Sequence, residues 1–146
     1  MALRSTIAGD FLKATASTSA ARVGGNGFNS ASVLGSAGAS ASGLIVSGSW
    51  NINSSNSQSK GFVESYTKAH GVAPDAFAAQ GYAAIQVLLA AMKLSKSTEP
   101  VAIQAALARI GSVDTVLGRF GFDAEHEPTY SAAVQTVIGG EFTLVR

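Results

Sequence analysis

The stretch from Pro74 to Met92 constrains this chain more than any other. It is the longest apolar segment with one clear period. Ala78, Tyr82, Ile85, Leu89 and Met92 recur at spacings of three and four, so they share one face of a helix. Asp75 is placed to cap the start of that helix, and Pro74 before it fits a helix entrance. Alanine is plentiful, so helix propensity is high throughout. The other face is also rich in Ala and Leu, which predicts burial on more than one side. The later half of the chain is expected to pack on this helix.

Composition narrows what surrounds it. A chain of 146 residues is one domain or part of a larger one. Its apolar fraction of 47% is enough for a core. Only 13% of residues are charged and the net charge is +1, with no basic block or stripe, so nucleic acid is excluded as a partner. The absence of cysteine excludes disulfides and thiolate metal sites. No apolar run is read as reaching the roughly 18 residues of a spanning helix. Met1 to Ala21 is amphipathic, Ser/Thr-rich and interrupted by Asp10, so no export signal is expected in it.

In chain order, the pattern predicts a helix over residues 3–16, with Leu3, Ile7, Phe11 and Ala14 on one face. Val23 then opens a short strand that runs into Gly24-Gly25-Asn26-Gly27. Those glycines fit a tight strand-to-helix turn, or a close approach of the backbone to a ligand. Residues 30–60 are rich in Ser, Ala and Gly and read as a linker, except that Gly43 to Trp50 reads as a buried strand within it. A helix is expected at about 57–69 with Phe62, Val63 and Tyr66 inward and Gly71 as its cap. Another is expected at about 99–110, capped by Thr98, with Ile103, Ala106, Leu107 and Ile110 on one side and Gly111 as its stop. Arg119 to Phe122 reads as extended. Tyr130 to Ile138, Gly139-Gly140 and Glu141 to Val145 read as a β-hairpin. Strands at both ends with helices between them give an α/β class.

Enzymatic motifs are missing. Gly24 to Gly27 is followed by no P-loop lysine, and Ser30 breaks the G-x-G-x-x-G pattern. No G-x-S-x-G elbow occurs. Asp123, Glu125, His126 and Glu127 cluster, but no second histidine lies near enough to complete a metal site, so they read as a solvated turn. Phe28, Trp50 and Phe77 stand at strand ends and in the first turn of the long helix. They either pack in the core or line a cleft where those ends meet.

One ordered series of segments resembles a known family. It comprises Val23-Gly24-Gly25-Asn26-Gly27-Phe28-Asn29-Ser30, Ala37-Gly38, Gly43-Leu44-Ile45-Val46 and Gly61-Phe62-Val63 with Tyr66. It continues with Gly71, with Pro74 to Tyr82, and with Gly118-Arg119-Phe120-Gly121-Phe122-Asp123. In that order they resemble the C-terminal portion of the periplasmic solute-binding proteins of branched-chain amino-acid (Leu/Ile/Val) ABC transporters and their amide- or urea-binding relatives. The resemblance runs from about Ala8 to Val145. It implies an incomplete part of a two-lobed type I periplasmic-binding-protein fold, with central helices and a C-terminal β-hairpin. Residues 1–50 would be second-lobe-like, 51–129 first-lobe-like and 130–146 second-lobe-like. It implies no catalysis and no cofactor. The implied partners are a small-molecule ligand (an amino acid or amide) and a transporter permease, at a periplasmic or extracellular location on the membrane. A ligand-sensing domain of a receptor or regulator would share the same fold. The resemblance carries Asn26 onto the position that pairs with the ligand ammonium, where leucine-type binders have an acidic residue. It carries Phe77 onto an aromatic position lining the pocket, with Phe28 and Gln80 as neighbouring contributors. Most of the first lobe would lie outside this chain, so the helix faces over 75–94 and 99–110 are expected to be partly uncovered, giving a loosely packed monomer or a self-associating species.

Overall fold

The computed structural model describes residues 5–145. Among them the elements run α1 (Ser5–Ala14), β1 (Val23–Gly24), α2 (Ala31–Ala37), β2 (Ile45–Gly48), α3 (Ser57–His70), α4 (Ala76–Ser95), α5 (Pro100–Leu107), β3 (Ser112–Thr115), β4 (Gly118–Phe122), β5 (Pro128–Thr129), β6 (Ala133–Ile138) and β7 (Glu141–Leu144). They group into two units. The first holds the chain through Ser54, then Asp75–Phe77, then Ala132 onward; the second holds Ser55–Pro74 and Ala78–Ser131.

The first unit is built on a sheet of order β1-β2-β6-β7. β1 and β2 are parallel, with Val23 opposite Ile45. β2 and β6 are antiparallel, pairing Ile45 with Thr136 and Gly48 with Ala133. The expected hairpin forms between β6 and β7, and its turn residues Gly139 and Gly140 take φ of 61° and 85°. Two positive φ values are what a two-residue hairpin turn demands, and glycine supplies them without strain. Leu12, Phe28, Val33, Leu44, Val46 and Val137 form the heart of the core. The Arg22 guanidinium binds three carbonyl oxygens, those of Leu12, Ser40 and Ser42, and so ties the end of α1 to the approach to β2.

Two expectations for this unit need correction. The buried face of α1 is Ala8 and Leu12, while Ile7 is 51% exposed; Leu3 lies outside the described residues. The Ser/Ala/Gly-rich stretch is structured rather than a linker. Ser30 caps α2, its Oγ accepting from Val33 N at 3.4 Å, and a 3-10 turn, Gly38–Ala41, follows. A Cβ added at Gly9 of α1 would overlap the Ser36 side chain of α2, so small residues are the condition for these helices to lie this close. That is why the composition resembles a linker while the segment is packed.

In the second unit α3 matches its pattern. Phe62 is buried, Val63 and Tyr66 are half-buried, and Gly71 caps the helix at φ 71° with its N–H on Thr67 O. α4 buries the face opposite its larger apolar side chains and leaves an apolar face partly uncovered. The small residues Ala79, Ala83, Val87 and Ala91 are buried, while Tyr82, Ile85 and Leu89 stand 49%, 55% and 49% exposed. Periodicity defined the faces but could not say which would turn inward, because both are apolar. α4 is also long and apolar enough to cross a membrane, a property the interrupted apolar run concealed. α5 is shorter than expected. It starts on Pro100 after Glu99, so Thr98 is not its cap, and it ends at Leu107. The β3-β4-β5 sheet extends the single strand expected there, with Val113 opposite Phe120 and Gly121 opposite Thr129.

An amide relay holds this unit together. Gln86 on α4 donates to Gln58 Oε1 at 2.6 Å and accepts from Val116 N at 3.0 Å. Gln58 donates on to Asp114 O, and Asn56 donates to Thr115 O. Helices α3 and α4 are thus joined to the backbone of β3 and of Val116 just after it.

Two outcomes follow. Replacing Gln86 by Leu leaves the buried Val116 N–H without its acceptor and should lower the unfolding free energy by about 1–3 kcal/mol. Gln104→Leu on the exposed side of α5 should change it by no more than about 0.5 kcal/mol, and urea unfolding monitored by circular dichroism compares the two. The uncovered Tyr82, Ile85 and Leu89 stripe should make the chain self-associate. In sedimentation velocity, Ile85→Lys with Leu89→Lys should weaken that association at least tenfold, about 1.4 kcal/mol.

Candidate functional site

Because β1 and β2 are parallel, the loops that follow them leave the same end of the sheet, the place where α/β proteins gather ligand-binding groups. The first loop is shaped by glycine. A Cβ on Gly24 would sit 2.5 Å from the Phe28 ring, so the strand can end there only without a side chain. The chain then winds into a 3-10 turn, Asn26–Phe28, with Phe28 N on Gly25 O and Asn29 N on Asn26 O. This is the tight turn expected from the sequence, and it places Asn26 at its start.

The Asn26 side chain is half-buried. Its Oδ1 accepts from Ser49 N at 3.4 Å, which links the two loops. Its Nδ2 has no hydrogen-bond partner among the described residues. Asn29 donates to Trp50 O at 3.0 Å. Asn51 donates to Phe142 O at 3.1 Å and to Gln135 Oε1 at 2.5 Å, and its own Oδ1 accepts from Asn53 N. Ser49, Trp50 and Asn51 are therefore each held by an amide side chain from, or shared with, another element. These side chains are all uncharged, so this end of the sheet offers hydrogen bonds rather than a fixed charge.

The four residues singled out from the sequence separate. Asn26, Phe28 and Phe77 belong to the first unit and Gln80 to the second. Phe77 is 43% exposed in the first turn of α4, an apolar surface open to contact. Phe28 is 1% exposed and meets Phe11 edge-on at 6.3 Å, so it packs in the core. Gln80 is half-buried. Trp50 is buried. Sequence reasoning missed Asn29, Asn51 and Gln135, although Asn29 and Asn51 directly follow a glycine-rich turn and a strand, where side-chain amides often bind backbone. In the acidic cluster, Asp123 Oδ1 accepts from the backbone of Glu125 and Glu127, so this carboxylate shapes a turn. Among the described residues no group of three His, Asp or Glu side chains converges as a metal site would require.

A periplasmic binding protein family model matches residues 9–141. No curated protein matches the chain significantly. Among solved structures, the leucine-binding protein of Thermotoga maritima superposes with a TM-score of 0.87 at 21% identity, over 99% of this chain and 42% of that one. The branched-chain amino acid transporter substrate-binding protein of Streptococcus pneumoniae, in complex with isoleucine, gives 0.85 at 23% identity, over 97% of this chain and 41% of that one. An ABC-transporter solute-binding protein of R. palustris in complex with benzoate gives 0.80 at 26% identity, over 94% and 39%. The chain thus spans about two-fifths of the length of the structures it resembles.

The geometry of the first loop makes a specific demand. Gly24→Ala should destabilise the chain by about 1–3 kcal/mol, because the new methyl must displace the buried Phe28 ring. Gly25→Ala, where nothing lies within 4 Å of the added Cβ, should cost much less. Denaturant midpoints of the two variants measure the contrast.

Proposed function

Since the chain belongs to the periplasmic binding protein family, we propose that it acts in solute capture for an ABC transporter, as a solute-binding component or a portion of one. It would work outside the cytoplasm, present its ligand to a transporter permease and catalyse no reaction. The first unit would correspond to part of one ligand-binding lobe and the second to part of the other. The observation that carries this reading is the placement of Asn26, with an unpartnered amide donor at the carboxyl end of the parallel β1–β2 pair.

The chemistry of that end favours a branched-chain or related amino acid or an amide. Asn26 can donate to a carbonyl or carboxylate oxygen but brings no charge to an ammonium group. Phe77 would pack the apolar part of the ligand. Gln80 is the lesser contributor. The R. palustris relative holds benzoate, so an aromatic acid is the competing ligand class.

Magnitudes set the expectation for the chain alone. Burying an aliphatic side chain of Val or Leu size contributes roughly 1.5–3 kcal/mol. One neutral hydrogen bond adds about 0.5–1.5 kcal/mol. Millimolar affinity already requires about 4 kcal/mol, and association entropy opposes it. The 146-residue chain should therefore show no micromolar binding of Leu, Ile, Val, urea or short amides in calorimetry. A chimera supplying the remaining part of the T. maritima leucine-binding protein should bind, and Phe77→Ala should weaken it at least tenfold. An unchanged affinity in that variant would remove Phe77 from the site. Micromolar binding by the short chain would show that the other contacts are unnecessary.

A further inference from the structure

We propose that α4 pairs with α4 of a second copy of this chain in an antiparallel, two-fold dimer, in which Tyr82 of each copy enters a hollow on the other. The exposed stripe of α4 thereby gains one occupant and one register. The pairing does not depend on the proposed function.

The stripe has the spacing of a coiled-coil seam. Tyr82, Ile85, Leu89 and Met92 follow one another at steps of three, four and three, which is the alternation that keeps one helix edge against another. The first three stand about half exposed and Met92 is half-buried. The only charged residue of α4 is Lys93, in its last turn, so the seam itself is neutral.

A hollow lies at one end of that seam. It is lined by Leu89, Met92, Lys93 and Lys96, with Ser97 and Thr98 on its far side. The first four stand at i, i+3, i+4 and i+7, the four positions that frame the hole for a partner's side chain. The chain beyond the helix is folded against it: Ser95 Oγ donates to Met92 O at 3.1 Å, Ser97 N donates to Ser95 Oγ at 3.3 Å, and Lys96 takes a φ of 51°. One side of the hollow is apolar and the other carries hydroxyls. That combination suits tyrosine, whose ring would rest on Leu89 and Met92 while its hydroxyl meets Ser97 and Thr98. The chain cannot fill the hollow with its own Tyr82, which lies about 15 Å back along the helix from Met92 and rests on Phe62 at 4.8 Å between ring centroids.

One register satisfies both ends. Setting Tyr82 opposite the partner's Met92 in an antiparallel pair also sets Ile85 opposite the partner's Leu89, and the two-fold repeats both contacts. Both hollows are then filled and the contact closes at two copies. Lys93 falls opposite the partner's Gly81, away from like charge, and the helix dipoles oppose. A parallel pair would set Lys93 beside the partner's Lys93, align the dipoles and leave both hollows empty.

The test uses the 146-residue chain as an equal mixture of 13C-labelled and unlabelled copies. An isotope-filtered NOE spectrum then reports contacts between copies alone, and the Met92 methyl is identified by its loss in Met92→Leu. The expected result is an NOE from the Tyr82 ring to the partner's Met92 methyl, and one between Ile85 and the partner's Leu89. In sedimentation velocity Tyr82→Ala should weaken the dimer at least tenfold, and Tyr82→Phe, which keeps the ring, should weaken it less than Tyr82→Ala does. A monomer at millimolar concentration, NOEs from Tyr82 to the partner's Tyr82, growth beyond two copies, or an unchanged dimer in Tyr82→Ala would overturn the proposal.

Discussion

The pairing of β2 with β6 is the contact on which the first unit depends. It sets Ile45 opposite Thr136 and Gly48 opposite Ala133, so the sheet joins two stretches separated by most of the second unit. Closing a loop of that length costs roughly 4 kcal/mol in chain entropy. The closure is offset where the two strands bury their apolar side chains. Val46 and Val137 are inaccessible, and each contributes about 1.5–3 kcal/mol when taken from water. Gly43 N on Val137 O and Val137 N on Leu44 O extend the ladder beyond the strand. Without this pairing β1 would have only β2 as a partner and β7 only β6, and neither two-stranded piece would be stable alone.

The same pairing sets up the polar end of the sheet. β6 brings Gln135 to Asn51, and β7 brings Phe142 O to the same amide. Asn26 and Asn29 reach Ser49 and Trp50 from the loop after β1. Backbone that leaves a strand without a ladder needs other partners, and here side-chain amides provide them. The function proposed for this end therefore rests on residues whose first role is to hold the backbone. Asn26 differs from Asn29, Asn51 and Gln135 in being half-buried rather than buried, so its amide can be reached from outside.

Much of the architecture was legible in the sequence because its signals were local. Gly71 stopped α3 and Gly139-Gly140 closed the β6–β7 hairpin, each by the positive φ that other residues avoid. The α/β class followed from those elements, and the family followed from the order of the motifs around Gly24, Pro74 and Gly118. What escaped was non-local. The orientation of α4 depended on which of two apolar faces found neighbours, and the chain buried the alanines and left Tyr82, Ile85 and Leu89 outside. α2 was hidden because close helix packing selects the same small residues as a flexible linker. At the site, the turn that carries Asn26 could be read from its glycines. The burial of Phe28 against Phe11, and the meeting of Asn51 with Gln135 across 84 positions, could not.

The central claim is that the carboxyl end of the β1–β2 pair, with Asn26 and Phe77, forms a ligand surface. The most direct measurement is an NMR titration of isoleucine into the chimera with the T. maritima protein, carrying labelled Asn side-chain amides and Phe rings. The Asn26 Nδ2 protons and the Phe77 ring should shift in proportion to occupancy, while the buried Phe28 ring stays nearly unchanged. Saturable binding that leaves both Asn26 and Phe77 unmoved would contradict the claim.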